Sequence, residues 1–351
     1  TTARRIAGGV GVDGFDATAL ARLGALAAES GDATTAFSAA AALEERGHER
    51  EGRRIRGAAA VKVGRYPEAL DALQEVADTS MEVVLLARAL YFAARVGEAR
   101  QVIIDGEAQL HGEDRVRGYD VAGHASFALG EPDVGVGWLE RALEAAQHAG
   151  EPRALARAKH SLAIALHRSG DVDRAHRLYS ESIAAADPLA ATTRKLNYAT
   201  LLHDRGKYAE AETLYREALA RAAQLANVRE LARAGVNLAN LLVLTGELAE
   251  AHERGEETAR LCAVHGLRQA EVMAQLVLLE AAIESERPER ARETLETVRA
   301  GLAELEDSVA AAELSLLEAR LLVLEGASAL ALEQLESLEV PDVSNLRARH
   351  A

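Results

Sequence analysis

Apolar residues recur along most of the chain at intervals of three and four, the spacing that gathers them on one face of an α-helix. Gly206 to Leu219 shows the pattern most plainly. A glycine is followed by a helical run whose apolar or small positions are Tyr208, Ala211, Leu214, Tyr215, Ala218 and Leu219. Two of these are alanines, which lets a second helix approach closely. The residue matching Ala211 recurs as Ala36, Ala69, Ala99, Gly135, Ala175, Ala251, Ala291 and Ala331, at separations of 33, 30, 36, 40, 36, 40, 40 and 40. Five residues before each comes a turn position, occupied by Gly31, Gly64, Ala94, Gly130, Gly170, Gly206, Gly246, Glu286 and Gly326. A tight interhelical turn favours a residue free to take φ > 0, and a helix crossing tolerates no added bulk. The pattern therefore predicts about nine helix-turn-helix hairpins and an all-α fold.

Ala211, Tyr215 and Ala218 reproduce the A-x-x-x-F/Y-x-x-A ending of the tetratricopeptide repeat, a hairpin of about 34 residues. Leu23-Gly24 match its Leu-Gly pair. The chain thus resembles the tetratricopeptide-repeat family over residues 18 to about 340. Its late 40-residue spacing resembles the longer repeats of kinesin light chains and bacterial signalling regulators. The resemblance implies a right-handed superhelical α-solenoid, with first helices lining a concave face and second helices forming the convex one. The third repeat departs most, because its turn holds Ala94. Residues 1–17, with glycines at 8, 9, 11 and 14, read as a flexible leader or linker, and residues 341–351 as a tail after Pro341. A chain that opens on Thr1 rather than Met reads as a trimmed or excised piece.

Composition narrows the function. The chain is 49% hydrophobic but only 3% aromatic, which suits close-packed helices better than a large sheet. Cys262 stands alone, so no internal disulfide or thiolate metal cluster can form. A formal charge of −15 argues against general nucleic-acid binding, which needs excess cations to release counterions. No apolar run reaches the roughly 18 residues of a membrane span, and no secretory leader is visible. The expectation is a cytoplasmic chain with neither membrane nor nucleic-acid partners.

Catalytic motifs are missing. His252-Glu253 and His48-Glu49 begin like a zinc helix, yet Glu256 and Gly52 stand where the second histidine belongs. The glycine-rich leader lacks the Gly-Lys-Ser/Thr of a phosphate loop. No cofactor, metal or enzymatic activity is expected.

The implied concave face is more informative. Its family positions fall on Arg88, Tyr91, Arg117, His124, Arg157, His160, His167, Arg168, His203, Arg233, Asn237 and Asn240, with Asp120 and Asp204 as the acids among them. Asn197 and Asn237 share one repeat position, and aligned amides can satisfy an extended peptide backbone. Arginines can clasp a carboxylate in a bidentate fork. The expected function is non-catalytic binding of a protein or peptide segment, acidic or extended, along a basic groove near residues 88–240. His160, His167 and His203 would tighten such binding on mild acidification. The first alternative is a regulatory or sensor arm of a larger bacterial signalling protein. The second is self-association through the terminal repeats, where Met273, Leu276, Ile283 and Leu316 gather.

Overall fold

In a computed structural model the chain is described over residues 12–184, 188–305 and 307–336. Most of the leader and the whole tail anticipated above lie outside the described residues. Two compact units are present, Thr1–Ala165 and Leu166–Ala351.

Among the described residues there are eighteen α-helices and no strand. In the first unit they run α1 (Ala17–Ser30), α2 (Ala33–Glu45), α3 (Glu49–Val63), α4 (Tyr66–Leu73), α5 (Ser80–Phe92), α6 (Val96–Asp105), α7 (Gly112–Ala128) and α8 (Pro132–Ala149). The unit boundary falls inside α9 (Pro152–Ser169). The second unit continues with α10 (Val172–Ala184), α11 (Pro188–Asp204), α12 (Tyr208–Gln224), α13 (Val228–Thr245) and α14 (Leu248–Val264). It ends with α15 (Arg268–Glu284), α16 (Pro288–Leu302), α17 (Ser308–Leu324) and α18 (Ser328–Glu336). Odd-numbered helices open hairpins and even-numbered ones close them, an α-solenoid arrangement within each unit.

One device makes all nine turns. Gly31, Gly64, Gly130, Gly170, Gly206, Gly246 and Gly326 take φ between 71° and 88°. Ala94 and Glu286 adopt the same left-handed conformation at 60° and 54°, despite their side chains. The third hairpin therefore turns like the rest, and the alanine does not alter its geometry. After each turn residue the next backbone N–H reaches back five residues to a carbonyl, from Asp32 to Ala27 at 2.9 Å through Ala327 to Leu322 at 2.8 Å. This is the bond that satisfies an otherwise orphaned carbonyl at a helix end.

The crossings follow from the small residues. Ala36, Ala69, Ala99, Ala175, Ala211, Ala251 and Ala291 are all 0% exposed, and Ala331 is 2%. At Gly135 the fit is tighter still, since an added Cβ would lie 2.5 Å from the Phe127 ring and 3.0 Å from the Gly123 carbonyl. Tyr179 and Tyr215, four residues beyond Ala175 and Ala211, are wholly buried. Trp138 packs on Tyr119 of its own hairpin at 5.4 Å, and the Arg141 guanidinium lies 4.3 Å over each ring.

Helix starts are capped where the sequence supplies oxygen. Asp16 accepts from the Ala19 N–H at 2.8 Å. Thr79 and Glu82 form a reciprocal capping box at the start of α5. Glu82 is buried there and pairs with Arg54 Nε at 2.9 Å.

Candidate functional site

The named groove residues divide between the two units, each with its own first-helix face. In the first unit, α5, α7 and α9 bring forward Arg88, Arg117 and Arg157. Arg117 and Arg157 converge on one carboxylate, Glu113, at 2.8 and 3.1 Å. Burial opposes ionisation of Glu113, but the hydrogen bond from Arg157 and the charge of Arg117 outweigh it and hold its pKa below the usual range. Arg88 is different. It makes no hydrogen bond or ion pair among the described residues; burial, then the charge of Arg117, pushes its pKa down against the opposing pull of Tyr66 and Asp120, and Arg157 adds to the lowering. The fold thus keeps a partly desolvated guanidinium near two others with no direct anionic contact among the described residues.

Other residues of that face complete the picture. Tyr91 meets Phe92 edge-on at 5.3 Å, and Phe92, 52% exposed, stacks on Tyr66 at 5.1 Å. His124 Nε2 stands 3.8 Å from Asp120 Oδ1, and His160 is half-buried.

In the second unit the expected groove is altered in three ways. Asn197 is only 5% exposed, so the two aligned amides do not both face outward as a row; Asn237 and Asn240 remain half-buried. Arg233 is already engaged, donating to the Thr193 carbonyl at 3.3 Å and pairing with Glu230 at 3.2 Å. His203 sits edge-on to Tyr208 and Tyr215, and burial lowers its pKa against the opposing pull of Asp204. That direction runs against acid-tightened binding through His203, which holds its proton less readily than an exposed imidazole. His167 is bound to Asp204 at 2.9 Å, while Arg168 is half-buried.

Glu113 and Glu230 were not among the groove positions, yet they neutralise groove arginines. Each lies one helical turn before an arginine, at i,i+4 to Arg117 and i,i+3 to Arg233. That spacing is a readable signal for pairing.

Position lists alone also miss a cavity of about 420 Å³ in the second unit. It is framed by α13, α15, α17 and the turns before α15 and α17. Arg229, Arg233 and Asn237 come from α13, Met273 and Arg268 from α15, and Asp307 and Glu313 from the start of α17. Glu313 makes no hydrogen bond or ion pair among the described residues. Burial, reinforced by Glu280 and Asp307, pushes its pKa up to about 7.

Among the described residues no group of three or more His, Cys, Asp or Glu is arranged to hold a metal ion. Cys262 is buried, and burial raises its thiol pKa to about 11, far from a nucleophile's range. No described helix is long and apolar enough to cross a membrane.

Comparison with known proteins agrees with the repeat pattern. Residues 193–229 match a tetratricopeptide-repeat family model. No curated protein sequence matches the chain. Among solved structures, the apo quorum sensor NprR from B. thuringiensis is similar with a TM-score of 0.69 and 13% identity, over 90% of this chain and 96% of that one. A Rap protein complexed with competence and sporulation factor aligns at 0.61 and 16% identity, over 82% and 87%. The Rap conjugation gene regulator of plasmid pLS20, in complex with the Phr* peptide, aligns at 0.53 and 14% identity, over 78% and 79%. At these identities the likeness is one of fold.

Proposed function

We propose that this chain, a tetratricopeptide-repeat protein, is a non-catalytic scaffold that holds an acidic peptide segment against the first-helix face of the unit Thr1–Ala165. The observation that carries the reading is Arg88, unmatched and partly desolvated beside Arg117 and Arg157. Bringing three guanidiniums together costs free energy that an anion would return. A carboxylate offers planar, bidentate acceptance that suits a guanidinium. The Tyr66–Phe92 stack, exposed at Phe92, gives apolar surface for the rest of the segment. A preformed helical face adds little ordering cost on the receptor side. The peptide-bound state of the pLS20 regulator, similar in fold, supports the class of ligand.

The working layout is a repeat region over residues 18–340, with a leader before it and a tail after it. The same chemistry would serve a regulatory arm, and the likeness to a quorum sensor favours that setting.

The test uses a fluorescein-labelled 12-residue Asp/Glu-rich peptide and its Asn/Gln counterpart, titrated with the full chain and read by anisotropy. The acidic peptide should bind about tenfold or more tighter, as charge-assisted bonds imply, and weaken as salt screens the contact. Equal binding of both peptides would defeat the proposal.

A second reading rests on exposed apolar side chains at α17 and α18, with Val323, Leu330 and Leu332 between 56% and 58% exposed. Self-association there would show as a concentration-dependent mass in light scattering, lost in Leu330→Lys/Leu332→Lys.

A further inference from the structure

The cavity framed by α13, α15 and α17 has walls of opposite charge. Arg229 and Arg233 stand on α13, while Asp307 and Glu313 belong to the start of α17. Apolar residues of the intervening α15, Ala270 and Met273, line the floor. Most of these charges are matched inside the protein. Arg233 has Glu230 at 3.2 Å, and Arg268 has Glu304 at 3.0 Å. Asp307 accepts the N-cap bonds of Val309 and Ala310, both at 3.2 Å. Arg229 and Glu313 remain. Neither has a hydrogen bond or ion pair among the described residues, and they do not neutralise each other.

A carboxyl withdrawn from water without a partner is costly. So is a wall arrangement that keeps one cation and one anion apart over an apolar floor. Both costs fall when a ligand with complementary ends lies between them. Its volume of about 420 Å³ is within the ordinary range for small-ligand sites. Packed helices lie roughly 8–10 Å apart, so α13 and α17, on either side of α15, are roughly 16–20 Å apart at their axes. With side chains reaching in from both walls, that distance suits an extended segment of about three or four residues, at about 3.3–3.6 Å each.

We propose that this cavity takes a bipolar ligand segment, seating a primary ammonium at Glu313 and a carboxylate at Arg229. The proposal rests on the peptide-recognition reading above and adds a second, chemically distinct site to it. The ammonium is either a peptide amino terminus or a lysine side chain. Glu313 must be ionised to pair with it. The groups around that carboxyl are Glu280 and Arg268 of α15, Asp307 before α17, and Arg229 and Arg233 of α13. Because its pKa lies near 7, ammonium binding below that pH expels a proton, and affinity should fall by up to about tenfold per pH unit.

The experiment titrates the full chain with three probes, followed by calorimetry and by the side-chain carboxyl resonances of ¹³C-labelled glutamate. The probes are tetra-alanine, N-acetyl-tetra-alanine and N-acetyl-Lys-Ala-Ala-Ala, all with free carboxyl termini. At pH 8 one or both amine-bearing probes should bind about tenfold or more tighter than acetyl-tetra-alanine. Preference for tetra-alanine identifies an amino terminus, and preference for the lysine probe identifies a side chain. Glu313→Gln should abolish the preference without lowering the melting temperature at pH 8, and Arg229→Gln should abolish sensitivity to carboxyl amidation. Equal binding of amine and acetylated probes, an unchanged preference in Glu313→Gln, or no binding by the parent chain would each overturn the proposal. The acidic 12-residue peptide, which addresses the other unit, should bind Glu313→Gln normally; its failure to bind the parent would count against the recognition reading instead.

Discussion

The first-helix faces of the two units use the same hairpin scaffold to different ends. In Thr1–Ala165, three arginines of successive first helices crowd together and one carboxylate answers two of them. In Leu166–Ala351, cation and anion are placed on opposing walls and kept apart. The repeat decides where side chains stand, and the residues decide what is left unmatched. Net charge along a face is therefore a poor guide, because Glu113 and Glu230 cancel arginines from one turn away. The informative groups are those with no hydrogen bond or ion pair among the described residues: Arg88 on one face, Arg229 and Glu313 on the other.

The comparison can be broken at its scaffold. A Cβ at Gly123 would lie 2.6 Å from Leu139 and 3.2 Å from the Gly135 carbonyl. One at Gly235 would lie 2.2 Å from Thr258 Oγ1. Gly123→Leu and Gly235→Val should each cost about 1–3 kcal/mol or more, seen in thermal melts. Gly123→Leu should weaken the acidic peptide more than the amine probes, and Gly235→Val the reverse. Identical effects on both ligands would show that the faces are not separate.

Glu313→Gln sharpens the contrast through pH. Above about 7 the carboxylate is ionised in folded and unfolded chains alike, and the folded state bears the cost. As pH falls through 7 the folded chain takes up a proton that the unfolded chain, with a value of 4.5, does not yet hold. Parent stability should therefore rise toward pH 4.5 relative to the variant. The glutamine variant should be more stable by roughly 1–3 kcal/mol at pH 8, with the advantage fading by about pH 4.5. A pH-independent difference between the two melting curves would contradict this environment for Glu313.

Smaller effects belong to the shared frame. Glu286→Gly and Ala94→Gly relieve left-handed strain at φ 54° and 60°. Each should stabilise by up to about 1 kcal/mol, the left-handed cost less the entropy of glycine. Neither should alter ligand binding. Arg216 clasps Glu250 at 2.7 and 3.0 Å on the second helices. Losing that partly exposed pair in Arg216→Ala should cost about 0.2–1 kcal/mol, again without effect on either ligand.

The hairpins were legible because their constraints are local. A left-handed turn and a close crossing restrict residue type at fixed spacing, so glycine and alanine mark them. Where Ala94 and Glu286 broke the composition rule, the spacing still located the turn. Arg88, Arg117 and Arg157 could be assigned to one face for the same reason. Partnering was harder to read. Asn197 shares its repeat position with Asn237, yet neighbouring packing buries one and leaves the other half open. His203 carries no sequence sign of the tyrosines around it. Arg229 and Asp307 lie at helix starts, outside the positions that a regular groove would use. The elevated pKa of Glu313 depends on burial and on Glu280 and Asp307, which only the packed structure brings together.

The most direct measurement is anisotropy of the labelled acidic 12-residue peptide with the parent chain and Arg88→Gln, side by side at low salt. Arg88 has no hydrogen bond or ion pair among the described residues and is partly desolvated beside Arg117, so its loss should leave the melting temperature unchanged or raise it. The expected result is binding weakened by about tenfold or more in a variant that is no less stable. Equal affinity for parent and variant would contradict recognition through the unmatched arginine.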